Sequence, residues 1–276
     1  MPERPPFVSF LSDYGQLDEF VGVCHSVMLD VAPQLRIIDI THEIPPFDVR
    51  AGALALVRAV QYLPDGVVLA VVDPGVATDR RCIAVEVDGG FLVGPDNGLL
   101  APAVAMTGGA VRVVALDNPE YQLAAPGPTF AGRDIMAPAA AHLAGGVPIG
   151  ALGTEADPAG LTPGLVPLPQ ERDDGTLSGE VLWVDRFGNC QLNIAPEQLA
   201  ERGAGPGAFV GVAIGGEERR ARWVTAFADA KPSELILLVD AYGMCSLAFD
   251  RRSAASELKL RSGQAVRIVA LTEDRS

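Results

Sequence analysis

The heptapeptide VVLAVVD, residues Val67–Asp73, indicates the fold class of this chain. Its six consecutive apolar residues make a run of strand length, far below the roughly 20 residues that cross a membrane as a helix. An unbroken apolar run of this length is typical of a strand buried on both faces of a parallel sheet. The sequence therefore predicts a central sheet in which one strand ends at an aspartate.

Strands and helices alternate around this run. Apolar runs predict strands at Phe7–Leu11 and Arg36–Ile40, and helical spacing predicts helices over Asp18–Val31 and Val49–Tyr62. The runs CIAVEV, FLVGP and VRVVAL, which follow, predict further strands, and an alanine-rich helix then ends at a Gly-Gly pair. Residues 1–160 are therefore expected to form an α/β domain with a central, mostly parallel sheet.

The composition changes after this region. Residues 161–175 are rich in proline and glycine and show no periodicity, as expected of an extended linker between domains. Beyond them, short apolar runs such as GEVLWVD, AFVGVAI and LILLVDA are separated by turns, with no long helical pattern between them. Residues 176–276 are therefore predicted to form a smaller all-β barrel domain.

Charge and cysteine content restrict the possible partners and the compartment. The formal net charge is -14, which argues against nucleic acid and against anionic membranes as partners. The four cysteines are far apart and form no C-x-x-C pair, so they are expected to be free thiols in a reducing cytoplasm. The first residues also lack the pattern of a secretory signal, and a cytoplasmic protein is the expectation.

Two aspartates, Asp13 and Asp73, each follow a predicted buried strand. The carboxyl ends of parallel strands form the ligand crevice of open α/β sheets, and a carboxylate there can accept two hydrogen bonds from a ribose diol. An Asx turn or a helix cap is the alternative role for either residue. In DPGVATDRR, Asp73 and Arg80 could together hold a water molecule, or they could form an ordinary surface ion pair.

Familiar cofactor and metal motifs are absent from the sequence. It contains no G-x-G-x-x-G, no P-loop, no G-x-S-x-G and no H-E-x-x-H. The three histidines, His25, His42 and His142, do not have the spacing of a metal cluster, so no metal site is predicted. In VDRFGN, Asn189 could recognise a purine edge, although a plain turn is the commoner outcome.

Seven segments occur in an order that resembles one family over nearly the whole chain. They are FLSDYG, ITHEIPPFDVRAGA, VVDPGVATDRR, VGPDNGLL, TFAGRDIMAPAAAHLA, VDRFGN and TAFADA. Together they resemble the S-adenosyl-L-methionine (SAM) hydroxide adenosyltransferases, which are related to the SAM-dependent fluorinase and chlorinase. The resemblance implies a homotrimer in which SAM binds between subunits. It also implies hydrolysis of SAM to adenosine and L-methionine, with no metal and no cofactor.

The resemblance also implies roles for individual residues around the nucleoside. Asp13 is expected to hold the ribose hydroxyls, and Phe47 and Phe227 are expected to pack against the nucleoside. Asn189 is expected to recognise the adenine. Each of these residues stands in one of the matching segments.

At the methionine end, the resemblance implies that Asp18 and Asp185 meet the ammonium group. The segment Asp240–Gly243 departs from the family, whose members often carry small hydroxyl residues there. Recognition of the methionine end is therefore the less defined part of the expected site.

For the chemical step, the resemblance implies that Asp73 and Arg80 position the attacking water. Halogenases lack an acid at the Asp73 position, and a carboxylate would repel a halide, so a halogenase is the less favoured reading. Hydrolytic members usually read T-F-H-G-R-D, whereas this chain has Ala131 in place of the histidine. That departure keeps open an alternative, a SAM- or adenosine-binding protein with little catalysis.

Overall fold

The computed structural model describes residues 6–270. The chain divides into two compact units between Val166 and Pro167. This division falls inside the proline- and glycine-rich stretch 161–175. Part of that stretch, Gln170–Glu171, is a short strand that pairs within the second unit.

The first unit is built on a seven-stranded sheet. Its strands are Phe7–Ser12 (β1), Arg36–Thr41 (β2), Gly66–Val71 (β3), Cys82–Val87 (β4), Gly90–Pro95 (β5), Arg112–Ala115 (β6) and Thr154–Ala156 (β7). They lie in the order β2-β1-β3-β5-β4-β6-β7. The pairings give β1, β2, β3, β5 and β6 one direction, and β4 and β7 the other. The predicted α/β domain with a mostly parallel sheet is confirmed.

Helices cover both faces of this sheet. They are Phe20–Val31 (α1), Val49–Val60 (α2), Ala101–Met106 (α3) and Ala137–Ala144 (α4). The core that contains residues of α1 and α4 includes Leu69 of β3, whereas the core that contains residues of α2 and α3 includes Val68 and Ala70. The central strand is thus buried on both sides, as its unbroken apolar run predicted.

The helix boundaries near the sheet edge differ slightly from the predicted ones. Helix α1 begins at Phe20 rather than at Asp18, and Asp18 lies in an exposed bend before it. Helix α2 begins where Asp48 caps it, because the Asp48 carboxylate accepts a 2.8 Å hydrogen bond from the N–H of Ala51.

The second unit is a small barrel. Its strands are Gln170–Glu171 (β8), Leu177–Val184 (β9), Cys190–Leu192 (β10), Phe209–Ile214 (β11), Glu217–Trp223 (β12), Ile236–Val239 (β13), Cys245–Ala248 (β14) and Ala265–Ala270 (β15). Pairing runs β10-β14-β13-β12-β11-β15-β9 and closes through β9 and β10, with β8 beside β9. The predicted all-β barrel is confirmed, with seven strands in the closed ring. Within the described residues of both units, no helix has the length and apolar character to cross a membrane.

Candidate active site

Asp13 and Asp73 lie side by side at the carboxyl ends of two neighbouring parallel strands. Strands β1 and β3 pair in register from Val8 to Ser12, and the N–H of Asp13 donates to the carbonyl of Val71. Both aspartates line one cavity of about 740 Å³, which we call the strand-end cavity. Its volume is in the range of small-molecule sites, and its position is where open α/β sheets bind ligands.

The carboxylate of Asp73 is held by Arg80. Nε of Arg80 donates to Oδ1 of Asp73 over 2.8 Å, and Nη2 donates to Oδ2. The side chains are only 7% and 14% exposed for Asp73 and Arg80, so this is a buried pair and not the surface ion pair considered as the alternative. Burial lowers the pKa of Arg80, but the hydrogen bond to Asp73 and the further interactions with Asp73 and Cys82 together raise it more, so the pKa is raised overall. Arg80 therefore stays charged and fixes the Asp73 carboxylate in one orientation.

Asp13 is joined to Phe47 across the mouth of the same cavity. Oδ2 of Asp13 accepts a 2.9 Å hydrogen bond from the N–H of Phe47, and both residues line the strand-end cavity. Burial raises the pKa of Asp13, partly offset by the Phe47 hydrogen bond, and the nearby charge of Asp73 raises it further. The structure thus places Asp13, which is expected to hold the ribose, beside Phe47, one of the two residues expected to pack against the nucleoside.

Phe47 has a backbone conformation that is unusual for a large side chain. Its φ is 69°, in the left-handed region, where a bulky residue is strained. Its ring is 72% exposed. Strained residues that are held by their surroundings concentrate at ligand sites, and the Asp13 carboxylate is one of the groups holding this one.

Tyr14 is a cavity residue that the sequence interpretation did not single out. Its ring makes a tilted contact with Phe20 and an edge contact with Phe130, with centroids 5.7 and 5.6 Å away. All three aromatic residues line the strand-end cavity, which gives it one apolar wall. Burial raises the pKa of Tyr14 well above its usual value, so the hydroxyl remains neutral. The sequence feature that could have identified Tyr14 as a cavity residue is its position in FLSDYG, directly after Asp13.

Ala131 is buried where two cavities adjoin. It lines the strand-end cavity and also a second cavity of about 420 Å³, to which Arg80 and Cys82 contribute. The methyl group of Ala131 offers no hydrogen bond at this position. The departure from T-F-H-G-R-D therefore falls at a position that shares one cavity with Asp73 and the other with Arg80.

Asp18 does not line the strand-end cavity. It is exposed in the bend that precedes α1, and its role at the methionine end remains a prediction.

In the barrel unit, Asn189 and Phe227 come together. Both line a cavity of about 400 Å³, with the exposed ring of Phe187 beside them, and we call this the barrel cavity. Asp185 organises the turn that presents Asn189. Its carboxylate accepts hydrogen bonds of 2.8 Å from the N–H of Phe187, and of 2.9 and 2.8 Å from the N–H and Nδ2 of Asn189. The expected role of Asp185 at an ammonium group remains a prediction.

An ion pair fixes the segment that follows Phe227. Nε and Nη2 of Arg222 donate to the two carboxylate oxygens of Glu234 over 2.8 and 2.7 Å. The hydrogen bond from Arg222 is the main reason that the pKa of Glu234 falls to about 2.

Asp240 holds the segment Asp240–Gly243 through hydrogen bonds. Its carboxylate accepts a 2.9 Å bond from the N–H of Tyr242 and a 2.6 Å bond from Nε2 of Gln191.

The chain combines an α/β unit that carries two aspartates at its strand ends with a closed barrel. Both units match the same protein family. Residues 8–153 match the SAM hydroxide adenosyltransferase N-terminal domain, and residues 179–267 match the C-terminal domain. The chain belongs to the SAM hydroxide adenosyltransferase family.

Known relatives are similar over nearly the full length. The chain is 43% identical to a protein of Salinispora tropica named (R)-S-adenosyl-L-methionine hydrolase, covering 96% of this chain and 98% of that one. A fluorinase of Actinoplanes sp. is more distant, at 27% identity over 95% and 97% of the two chains. A crystal structure of an uncharacterized conserved protein from Thermotoga maritima has a TM-score of 0.87 at 33% identity, covering 95% of this chain and 99% of that one.

Proposed function

We propose that this protein hydrolyses SAM to adenosine and L-methionine. The observation that carries the proposal is that Asp73, which lines the strand-end cavity together with Asp13, is held from behind by an ion pair with Arg80 whose side chains are mostly buried. The name of the Salinispora tropica relative, an (R)-SAM hydrolase, supports the same reaction.

In the proposed reaction, Asp73 accepts a hydrogen bond from a water molecule and directs its oxygen towards C5′ of the ribose. The C5′–O bond forms while the C5′–S bond breaks, and the bonding electrons pass to sulfur, which leaves as the neutral thioether of methionine. The water proton is lost through the Asp73 carboxylate to solvent. Arg80 holds that carboxylate in place, so much of the rate comes from positioning.

The same proposal assigns the binding groups. Asp13 holds the ribose hydroxyls, and Phe47 and Phe227 pack against the nucleoside. Asn189 recognises the adenine and the ammonium group of SAM meets Asp18 and Asp185. The acidic surface suits a cationic sulfonium substrate. No metal and no cofactor take part, because a sulfonium is already a good leaving group.

We further propose a homotrimer in which each site is completed at a subunit interface, since the expected residues are divided between the strand-end cavity and the barrel cavity. Neither nucleic acid nor membrane is a proposed partner. A cytoplasmic location is proposed because all four cysteines are buried free thiols.

Ala131 supports a second candidate, a SAM-binding protein with little turnover. The position next to Arg80 carries a methyl group, so the water would have one polar contact fewer than with an imidazole there. A SAM-dependent halogenase is less well supported, because the Asp73 carboxylate would repel a halide.

The test is incubation of the purified chain with SAM in ¹⁸O-labelled water, followed by mass spectrometry. Labelled adenosine together with methionine is expected for hydrolysis at C5′. Bound but intact SAM would instead support the second candidate. Formation of a 5′-halo-nucleoside on addition of chloride or fluoride would overturn the proposal in favour of halide transfer.

A further inference from the structure

Two histidines and an aspartate that are separate in the sequence meet in the α/β unit. His25 lies on α1, Asp39 on β2 and His42 in the loop after β2. Nε2 of His25 is 2.9 Å from Oδ1 of Asp39, and Nε2 of His42 is 3.1 Å from the same oxygen. The three donor atoms lie within 4.8 Å of one another. We call these residues the histidine cluster.

His42 is the buried member, and one of its nitrogens lacks a hydrogen bond. Its side chain is 0% exposed. Nδ1 lies 2.7 Å from the hydroxyl oxygen of Ser12, whereas Nε2 makes no hydrogen bond, although it is close to Asp39. If Nδ1 carries the proton and donates to Ser12, the lone pair of Nε2 faces the Asp39 carboxylate. Two such lone pairs attract a cation between them.

We propose that His25, Asp39 and His42 bind a divalent transition-metal ion of the Zn²⁺ type. Two imidazole nitrogens and one carboxylate oxygen are ligands that Zn²⁺, Co²⁺ and Ni²⁺ accept. Bonds of about 2.0–2.1 Å from one ion place neighbouring donors about 3.0–3.4 Å apart. The observed separations of 2.9 and 3.1 Å from Oδ1 are close to that geometry, although the first is also the length of the hydrogen bond between His25 and Asp39, which a bound ion would replace.

The surroundings of the histidine cluster also suit a metal. Ligating histidines usually donate their second ring N–H to a fixed acceptor, and Ser12 is placed to be that acceptor for His42. The side chains of His25 and Asp39 are partly exposed, which leaves a path for the ion and room for water ligands.

The proposed metal site is separate from the proposed chemistry. None of its three ligands lines the strand-end cavity. The connection is structural: Ser12 precedes Asp13, and the carbonyl of His42 accepts a 2.7 Å hydrogen bond from the N–H of Gly15. A bound ion would therefore stabilise the loop that carries Asp13 and Tyr14, without touching C5′ or the attacking water.

The first test measures metal content. Untagged full-length protein is dialysed against Zn²⁺, washed, and assayed by mass spectrometry for metal per chain. About one tightly held Zn²⁺ per chain is expected in the wild type and in His142→Gln, because His142 contacts Tyr121 and lies outside the cluster. Loss of that ion is expected in His25→Gln and in Asp39→Asn. Equal zinc content in the wild type and in His25→Gln would overturn the proposal.

The second test identifies the ligands, and its cobalt measurement uses the wild-type chain alone. Co²⁺ added to the wild-type chain should give visible absorption bands of a low-coordinate nitrogen- and oxygen-ligated ion, without the charge-transfer band of a thiolate. Zn²⁺ should also raise the thermal unfolding midpoint of the wild type but not that of His25→Gln, which replaces only a partly exposed side chain. Thiolate bands, or the same midpoint shift in His25→Gln, would count against the cluster as the site.

Discussion

Two nitrogens of Arg80 each donate to a different carboxylate oxygen of Asp73, within a pair that is almost fully buried. This bidentate contact leaves the carboxylate little freedom to rotate. It also holds the carboxylate beside the place where the proposed mechanism puts the attacking water.

Asp73→Asn is expected to reduce turnover of SAM by about 10²–10⁴-fold, the range associated with loss of an acid–base group. The amide is similar in shape but accepts hydrogen bonds weakly and carries no charge. The dissociation constant of SAM should change only a few-fold. Adenosine formation and isothermal titration calorimetry measure the two quantities.

Asp96→Asn is the matched control. Asp96 forms an ion pair with Arg81, the residue after Arg80, but it does not line the strand-end cavity. Turnover in Asp96→Asn should stay close to the wild-type value. A similar loss of turnover in both variants would mean that Asp73 acts through the fold and not on the water.

Ala131→His is expected to raise turnover about tenfold or more, because an imidazole there adds a polar contact next to Arg80. Ala131→Leu adds comparable bulk without a polar atom and should give no gain. Steady-state rates of adenosine formation distinguish the two variants. If neither variant is faster than the wild type, the site with Asp73 and Arg80 alone is already competent.

Binding of SAM is expected to weaken as the pH falls, beginning at a higher pH than for an ordinary aspartate. The pKa of Asp13 is raised from 3.8, chiefly by burial, and only the ionised carboxylate can accept both ribose hydroxyl hydrogen bonds. Asp13→Asn should bind SAM weakly and show no such pH dependence. Calorimetric titrations from neutral pH down to about pH 4, the ordinary pKa of an aspartate, provide the measurement.

The raised pKa of Asp13 also affects the stability of the fold. Because the folded state binds the Asp13 proton more tightly than the unfolded chain does, this group favours folding at low pH and costs stability once the pH exceeds the folded-state pKa. Asp13→Asn should therefore not lower the unfolding midpoint at neutral pH. A clear loss of stability in that variant would indicate that the Phe47 hydrogen bond outweighs the burial.

Gly132→Ala is expected to destabilise the protein by about 1–3 kcal/mol, the usual cost of overpacking. A methyl group at Gly132 would overlap the hydroxyl oxygen of Tyr14, whose ring packs against Phe20 and Phe130. Tyr14→Phe removes that oxygen, and the double variant should recover part of the loss. Chemical denaturation of the four proteins in the cycle measures the coupling, and strict additivity would contradict the proposed contact.

Mixed trimers test whether each site is shared between subunits. Asp73→Asn and Asn189→Ala change different cavities, and each variant alone should turn over poorly. Co-expressed, they should form some sites with an intact Asp73 from one subunit and an intact Asn189 from another, so activity should reappear. No recovery in co-purified mixed oligomers would argue that each chain builds its site alone.

The sequence was most informative where contacts are local or where strand ends coincide. The apolar run Val67–Val72 correctly predicted a strand buried on both faces. Strands β1 and β3 are parallel neighbours, so aspartates after their last residues had to lie near each other. Turn and linker composition likewise allowed the barrel to be separated from the first domain.

Long-range packing was not visible in the sequence. His25 and His42 had no metal-like spacing, yet α1 and the loop after β2 bring them to one carboxylate. The start of α1 at Phe20 was missed because Asp18 has the chemistry of a helix start, whereas the chain there still bends. The conformation of Phe47 also depends on a partner 34 residues away, Asp13, which no local pattern reveals.

The left-handed backbone of Phe47 brings thermal stability into conflict with the proposed packing of its ring against the nucleoside. Glycine adopts this φ without strain, so selection for thermal stability alone would favour replacing the phenylalanine. The same replacement would remove an exposed ring from the mouth of the strand-end cavity. Directed evolution of this scaffold for industrial robustness therefore needs to hold position 47 fixed, or to screen for substrate capture in every round.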